Sequence, residues 1–467
     1  MSERGNTPAA EGQWTALRGT SPRQRRALLS GWAGFFVDMV DVYLPVVALA
    51  PAIGYFQPNH LTGSRAGMLF FLTFAATLLG RPVGAALFGH LADTVGRRRV
   101  TLVSIAGFST CTIAIGLLPG YATWGLTAAV MLVALRFVDG VFLGGEYTAA
   151  TPLAFEHCPP AARGLYGGLL MGAYAFAYAT VSALVLVLLV VLPEGAYEAW
   201  GWRVPFLVGG LAGFGFLGYR ARVPESPLWQ ATMSRGHGES RPIRTVVLGK
   251  GRRDFAQVLL LMAGLWLLGS SVISVLPVLL LTELQRPAVW VTGVLLLAQF
   301  ALIGAFLGTG AAGQRWGRRR TIAAGAGLSA TAGLVVYAVI VTAPLPAWLL
   351  AVGVVTTEVL VLAVWGAVIA YVTERFATAV RASGFGLGYS LALVPASFYA
   401  FYLDALANVM PVHLTQLVLL AVGGALAALG ALLGPETRSL DLAQAGVVPR
   451  RSDADERNVP SYSESGR

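Results

Sequence analysis

The chain has 467 residues, of which 56% fall in the hydrophobic set and only 12% are charged, against roughly a quarter charged in an ordinary soluble domain. The apolar surplus recurs in long blocks from residue 28 to residue 434 with no polar module between them, which excludes a string of soluble domains and calls for a bilayer. The excess of 33 Lys and Arg over 23 Asp and Glu gives a net charge of +10, and the placement of the arginines assigns it to membrane topology rather than to a nucleic-acid partner.

Residues 1–27 are polar and basic and read as a segment outside the membrane. Apolar runs of about 20 residues, each enough to cross about 30 Å of hydrocarbon as a helix, then fall at 28–54, 66–91, 100–119, 124–154, 164–192 and 203–222. A second set follows at 255–282, 289–312, 321–343, 347–373, 383–404 and 412–434. Twelve spans are expected, giving an all-α membrane protein with both ends of the chain on one side. The longest link, 223–254, follows the sixth span and separates a six-helix bundle at 28–222 from another at 255–434, and a polar tail occupies 435–467. Only Arg65, Arg203 and Arg286 fall on the side away from the termini, and Arg81 and Arg136 lie inside spans, which leaves 28 basic residues on the other side. The positive-inside rule makes that side cytoplasmic, so both termini are expected there, in a plasma membrane of the bacterial inner-membrane type.

Charged side chains inside the spans carry the functional reading, because each costs roughly 2.5 to 3.5 kcal/mol near the bilayer centre unless it faces a cavity, pairs or takes up a proton. In the first span Asp38 and Asp41 are three residues apart, so both can point to one cavity and share an exchangeable proton; the competing reading is a permanent pair with Arg81 or Arg136. Arg81 lies between Gly80 and Pro82 in the second span and suits a bidentate carboxylate. In the fourth span Arg136, Gly140 and Gly144 form a ridge at four-residue spacing along which another helix can approach closely, while Asp139 and Glu146 share a face. Glu358 is the acid near the middle of a second-half span. Arg81, Arg136 and Asp139 are the expected substrate contacts, and Asp38, Asp41, Glu146 and Glu358 the expected proton-coupling acids, with fixed salt bridges and a protonated structural Glu358 as the alternatives.

An internal repeat supports the division into halves. Gly89-His-Leu-Ala-Asp93-Thr-Val-Gly96-Arg97-Arg98-Arg99 matches Gly310-Ala-Ala-Gly-Gln314-Arg-Trp-Gly317-Arg318-Arg319-Arg320 at an offset of 221 residues. Glu156 precedes Arg163 as Glu374 precedes Arg381, at an offset of 218, and Pro224-Glu225-Ser226 matches Pro435-Glu436-Thr437 at 211. Two related halves can rock about a site near the midplane and expose it alternately to each side.

These residues resemble the major facilitator superfamily, whose signature Gly-x-x-x-Asp-(Arg/Lys)-x-Gly-(Arg/Lys)-(Arg/Lys) is met by Gly89, Asp93, Gly96, Arg97 and Arg98, with Thr94 in place of the usual basic residue. More narrowly, residues 30 to 230 resemble the metabolite:proton symporter family through Arg81-Pro-Val-Gly84, Arg136-Phe-Val-Asp139-Gly140 with Gly144-Gly145-Glu146, Trp200-Gly-Trp-Arg-Val-Pro-Phe206 and Glu225-Ser-Pro227. In the first span Gly34, Asp38 and Asp41 keep the glycine and the acidic spacing of that family but lose its aromatics. The resemblance implies the twelve-helix major facilitator fold and proton-coupled transport. Gly89, Asp93, Gly96, Arg97 and Arg98, with the second copy at Gly317, Arg318 and Arg319, are expected to act as a charge latch between the halves, with solvated topology anchors as the alternative; Gln314 replaces the acid in the second copy, so the second latch is expected to be the weaker.

No nucleotide-binding loop, zinc-type histidine pair or nucleophile constellation is present in the sequence, so neither an enzyme nor a resident cofactor is expected. Cys111 and Cys158 are too few for a disulfide framework. The reading is a proton-coupled symporter of a small carboxylate-bearing metabolite, a monomer in the lipid bilayer with protons and a small molecule as partners. A zwitterionic osmolyte symporter, proton-driven efflux and, from another class, a non-transporting membrane sensor are the rivals.

Overall fold

The computed structural model describes residues 10–58, 64–236 and 238–442. Residues 1–9, 59–63, which include His60, then His237 and the part of the tail from 443 to 467 lie outside the described residues. Among the described residues the secondary structure is helical and no strand occurs. The first six long helices are α1 (Pro22–Leu49), α2 (Ser64–Thr94), α3 (Arg97–Gly116), α4 (Leu126–His157), α5 (Arg163–Val191) and α6 (Arg203–Arg220). The second six are α7 (Arg252–Leu281), α8 (Ala288–Trp316), α9 (Arg318–Thr342), α10 (Ala347–Glu374), α11 (Thr378–Ala407) and α12 (Val412–Leu433). Eleven of them are long and apolar enough to cross a membrane. The remaining one, α6, has 18 residues, five glycines and an arginine at each end; it reaches about 27 Å at 1.5 Å per residue and packs on α3 and α1, which makes it the sixth member of the first half.

Local sequence sets the helix starts. Ser21 and Gln24 form a reciprocal capping box ahead of Pro22 at the head of α1, which satisfies two backbone donors that the helix itself cannot. Gly96 and Gly317 precede α3 and α9 with φ of 118° and 106°, a region that favours glycine. The freed N-termini take carboxylates: Arg98 N–H donates to Glu225 at 3.0 Å, and Arg318 and Arg319 N–H donate to Glu436 at 2.8 and 3.2 Å. A Cβ on Gly96 would sit 2.7 Å from the Glu225 carboxylate, so the glycine also makes room for the cap. The repeat read from the sequence is thus a repeat of helix-capping geometry.

Helix packing follows small residues. Gly80 and Gly84 of α2 lie against the backbone of Phe137 and Val141, while Gly140 and Gly144 of α4 lie against Thr77 and Arg81. The expected glycine ridge on α4 is therefore met by a second one on α2. Between the halves Gly164 and Gly168 of α5 meet Gly310 and Phe306 of α8, and α11 packs on α2 and α4. α1 passes into a π segment at Leu44–Leu49, where Pro45 supplies no backbone donor, and α7 does so at Ser271–Val275.

Candidate functional site

The charged residues of the first half converge in two adjoining groups, all buried. In one, Arg136 of α4 donates through Nε to the Thr77 hydroxyl of α2 at 3.0 Å. Its Nη1 lies 3.0 Å from Asp139 and 3.5 Å from Asp41 of α1. Asp41 also accepts from the Thr112 hydroxyl of α3. Four helices are joined here, with one guanidinium shared by two carboxylates. In the other group Arg81 of α2 lies 3.6 Å from Asp38 of α1, and Glu146 of α4 sits within electrostatic reach of Asp38, Arg81 and Arg220.

Glu146 is seated against Gly34, where a Cβ would stand 2.7 Å from its carboxylate oxygen. Arg220 of α6, fully buried, donates to the Ser30 hydroxyl at 2.8 Å. The sequence reading left Arg220, at the end of the 203–222 run, without a role; its side chain is buried within electrostatic reach of Glu146 of α4. Four carboxyl groups, Asp38, Asp41, Asp139 and Glu146, thus face three guanidinium groups, Arg81, Arg136 and Arg220. The set is neutral when one carboxyl carries a proton.

An aromatic layer separates these groups from the second half. Tyr147 of α4 and Tyr389 of α11 lie with ring centroids 4.4 Å apart, and Tyr389 continues to Trp266 of α7 at 5.1 Å and Trp365 of α10 at 6.0 Å. Both tyrosines lie within reach of the Asp38 and Arg81 charges. Beside them Tyr43 of α1 packs edge-on against Tyr174 and Tyr178 of α5 at 5.6 and 4.9 Å. Glu358 of α10 lies beyond, accepting from the Gln299 amide of α8 at 3.1 Å. Two surface hollows, about 430 Å³ beside His90 and Arg244 and about 530 Å³ beside Arg319 and Glu436, lie on the arginine-rich face and not at this level.

On that face the halves are tied by ion pairs and caps. Asp93 of α2 accepts from the N–H groups of Ala382 and Ser383 at 3.1 and 2.8 Å, capping the first turn of α11. A Cβ on Gly89 would meet the Ser383 backbone at 3.1 Å, so a side chain there would push this cap apart. Glu156 of α4 holds Arg97 of α3, Arg381 of α11 and the Ser226 hydroxyl at once, while Arg97 also donates to the Thr378 carbonyl at 2.9 Å. Arg98 reaches the Ala221 carbonyl. The second copy differs. Glu374 binds Arg318 and Thr437 of its own half at 2.6 and 2.7 Å, and Gln314, in the place of Asp93, accepts from Gly164 N–H at 3.1 Å. The same amide donates to the Pro160 carbonyl at 3.3 Å, so across the seam a neutral group makes one bond of each kind where the Asp93 carboxylate accepts two, and its oxygen also accepts from Arg318 at 2.9 Å.

Glu156, Glu374 and Arg381 entered the sequence reading only as markers of the repeat; their recurrence beside the basic motif was the signal that could have given them a role. Nothing in the sequence singled out Thr77, Thr112 or the tyrosines. The Cys158 thiol, outside the spans and buried, is pushed up to about 12 by burial and is a poor nucleophile.

The family model described as the Major Facilitator Superfamily matches residues 31–400. A shikimate transporter of Escherichia coli (strain K12) is 30% identical over 204 residues, 44% of this chain and 47% of the relative. An ectoine/proline transporter of Corynebacterium glutamicum is 38% identical over 161 residues, 34% of this chain and 32% of the relative. The matched stretch spans less than half of either relative's length. The solved proton:xylose symporter XylE, bound to 6-bromo-6-deoxy-D-glucose, superposes with a TM-score of 0.75 at 18% identity, covering 91% of this chain and 99% of that one; at that identity the likeness is one of fold.

Proposed function

The chain belongs to the major facilitator superfamily, a family of transporters and not of enzymes, and we propose that it carries a small carboxylate-bearing metabolite together with protons by alternating access. The observation that carries this reading is the pairing of Arg81 with Asp38, buried at the seam between the halves beside Tyr147 and Tyr389. Asp38 occupies Arg81 in the resting state. A proton on Asp38 removes the charge that holds the guanidinium, and its donors turn to the substrate carboxylate in bidentate geometry. Arg136 and Asp139, expected beside it as substrate contacts, back this position, with Asp41 and Glu146 as the acids through which the proton passes. The excess of one carboxyl over the guanidinium groups fits one exchangeable proton in this half.

The bodies that move are residues 28–222 and 255–434, joined by the linker at 223–254. The arginine-rich face is the cytoplasmic one, and the termini lie there, in a bacterial inner membrane. Gly89, Asp93, Gly96, Arg97 and Arg98 then form the cytoplasmic latch, closed here, with the weaker copy at Gly317, Arg318 and Arg319. The shikimate transporter among the relatives supports a carboxylate substrate, and the ectoine/proline transporter supports the rival zwitterion.

In liposomes an inwardly directed proton gradient should drive uptake of an organic acid from a panel of dicarboxylates and cyclic monocarboxylates. Asp38→Asn should retain substrate exchange while losing the response to the gradient, because the amide imitates the protonated acid. Uptake of every acid on the panel unaffected both by the gradient and by this substitution would defeat the coupling.

A further inference from the structure

The linker carries charge that neither the transport reading nor the latch uses. Arg241 precedes the short linker helix Pro242–Val247 and Arg244 lies in it. Both side chains are exposed, and no hydrogen bond or ion pair is recorded for either guanidinium among the described residues. The helix divides into faces at its own period: Pro242 and Val246 are buried against the protein, Ile243 and Val247 line the hollow of about 430 Å³, and Arg244 and Leu248 edge it. His90 of α2 completes the lining. That volume lies within the range of small-molecule pockets, about 300–1,000 Å³. On α2, Leu79, Val83, Leu87 and His90 follow one face at spacings of four, four and three, and the three apolar members are 37, 49 and 52% exposed. An exposed apolar stripe on a membrane helix faces acyl chains. The hollow opens where that stripe ends and the arginines begin, the depth at which a phospholipid changes from chain to headgroup.

We propose that this hollow holds one anionic phospholipid, its phosphate between Arg241 and Arg244 and its acyl chain over Ile243 and Val247 toward Leu87. Charge and shape select the occupant together. Two free guanidinium groups present planar donor forks that match a phosphate, while the apolar wall and the stripe on α2 match a chain that a free phosphate ion lacks. Glu239, the neighbouring acid, accepts from the Arg241 backbone N–H at 3.1 Å and leaves the guanidinium free. The linker helix packs on α2 of the first half and on α7 and α11 of the second, so a lipid seated here bears on both halves and holds the arginine-rich face closed. The site stands independently of the substrate and of the proton-coupling acids proposed above.

Native mass spectrometry of the purified full-length protein in detergent tests the site, with phosphatidylglycerol and phosphatidylethanolamine of identical acyl chains as probes. The wild type should retain one phosphatidylglycerol about tenfold more tightly than phosphatidylethanolamine, and millimolar inorganic phosphate should not displace it. Arg241→Gln combined with Arg244→Gln should weaken that binding about tenfold or more, the loss expected for two cations facing an anionic headgroup. Arg252→Gln combined with Arg253→Gln removes the same charge outside the hollow and should leave it within about threefold. Equal retention of the two lipids, an equal loss in the two double variants, or displacement by inorganic phosphate would overturn the lipid site; the second result would reveal a diffuse surface-charge effect and the third a free-anion site. In liposomes, phosphatidylglycerol in place of phosphatidylethanolamine should slow alkylation of a cysteine at Ser383 by an uncharged maleimide, on a background without Cys111 and Cys158, and Arg241→Gln with Arg244→Gln should remove the effect. Equal labelling rates in the two lipids would overturn the hold on the seam.

Discussion

Glu156→Gln should open the arginine-rich face and destabilise the closed state by about 3 kcal/mol, at the lower end of what removing one partner of a buried ion pair costs. The carboxylate holds Arg97 of the first half and Arg381 of the second, and its other oxygen takes the Ser226 hydroxyl. An amide leaves two buried guanidinium groups facing each other, with Asp93, 3.7 Å from Arg97, as the remaining ion-pair partner. Because one of them belongs to each half, their repulsion acts across the seam. Glu374→Gln provides the control, since its carboxylate binds Arg318 and Thr437 within the second half: it should lower the thermal midpoint without opening the face. Alkylation of a cysteine placed at Ser383, on a background without Cys111 and Cys158, checks both. Labelling should rise at least tenfold with Glu156→Gln and stay at the wild-type rate with Glu374→Gln.

Arg81→Gln should reduce affinity for the transported acid about a hundredfold or more, as losing a buried charge-assisted contact costs roughly 2–5 kcal/mol. The single substitution also strands Asp38, 0% exposed, without its cation, and so risks poor folding. Arg81→Gln combined with Asp38→Asn removes both charges and should restore expression and thermal stability without restoring binding. Arg136→Gln differs in kind. Its guanidinium is engaged with Thr77, Asp41 and Asp139 inside the first half, so its loss should lower stability more than it lowers affinity. Isothermal titration of the three variants separates these outcomes.

The spans, the two halves and the α4 glycine ridge were legible in the sequence because bilayer thickness and helix period impose them locally. Pairing across the seam was legible only in part. The recurrence of Glu156 and Arg163 as Glu374 and Arg381 marked the repeat, yet the partner of Glu156 is Arg381, 225 positions away, and no local pattern encodes that distance. Arg220 was passed over for a related reason: it ends a span beside a basic loop, where charge alone does not tell a solvated side chain from a buried one. The tyrosines were illegible because an aromatic residue in an apolar helix is ordinarily packing, and only the fold places Tyr174 and Tyr178 within reach of Glu358. Gln314 was the opposite case, since one departure from the motif already marked the place where a neutral amide stands for the Asp93 carboxylate.

Alternating access requires two rigid halves that open at one end as they close at the other. Spin labels on exposed positions test it directly, one pair at Val95 and Trp316 on the arginine-rich face and one at Trp124 and Val409 on the opposite face. With substrate at low pH, the first distance should lengthen by several ångströms while the second shortens in the same sample. Both distances unchanged, or both moving in the same direction, would contradict it.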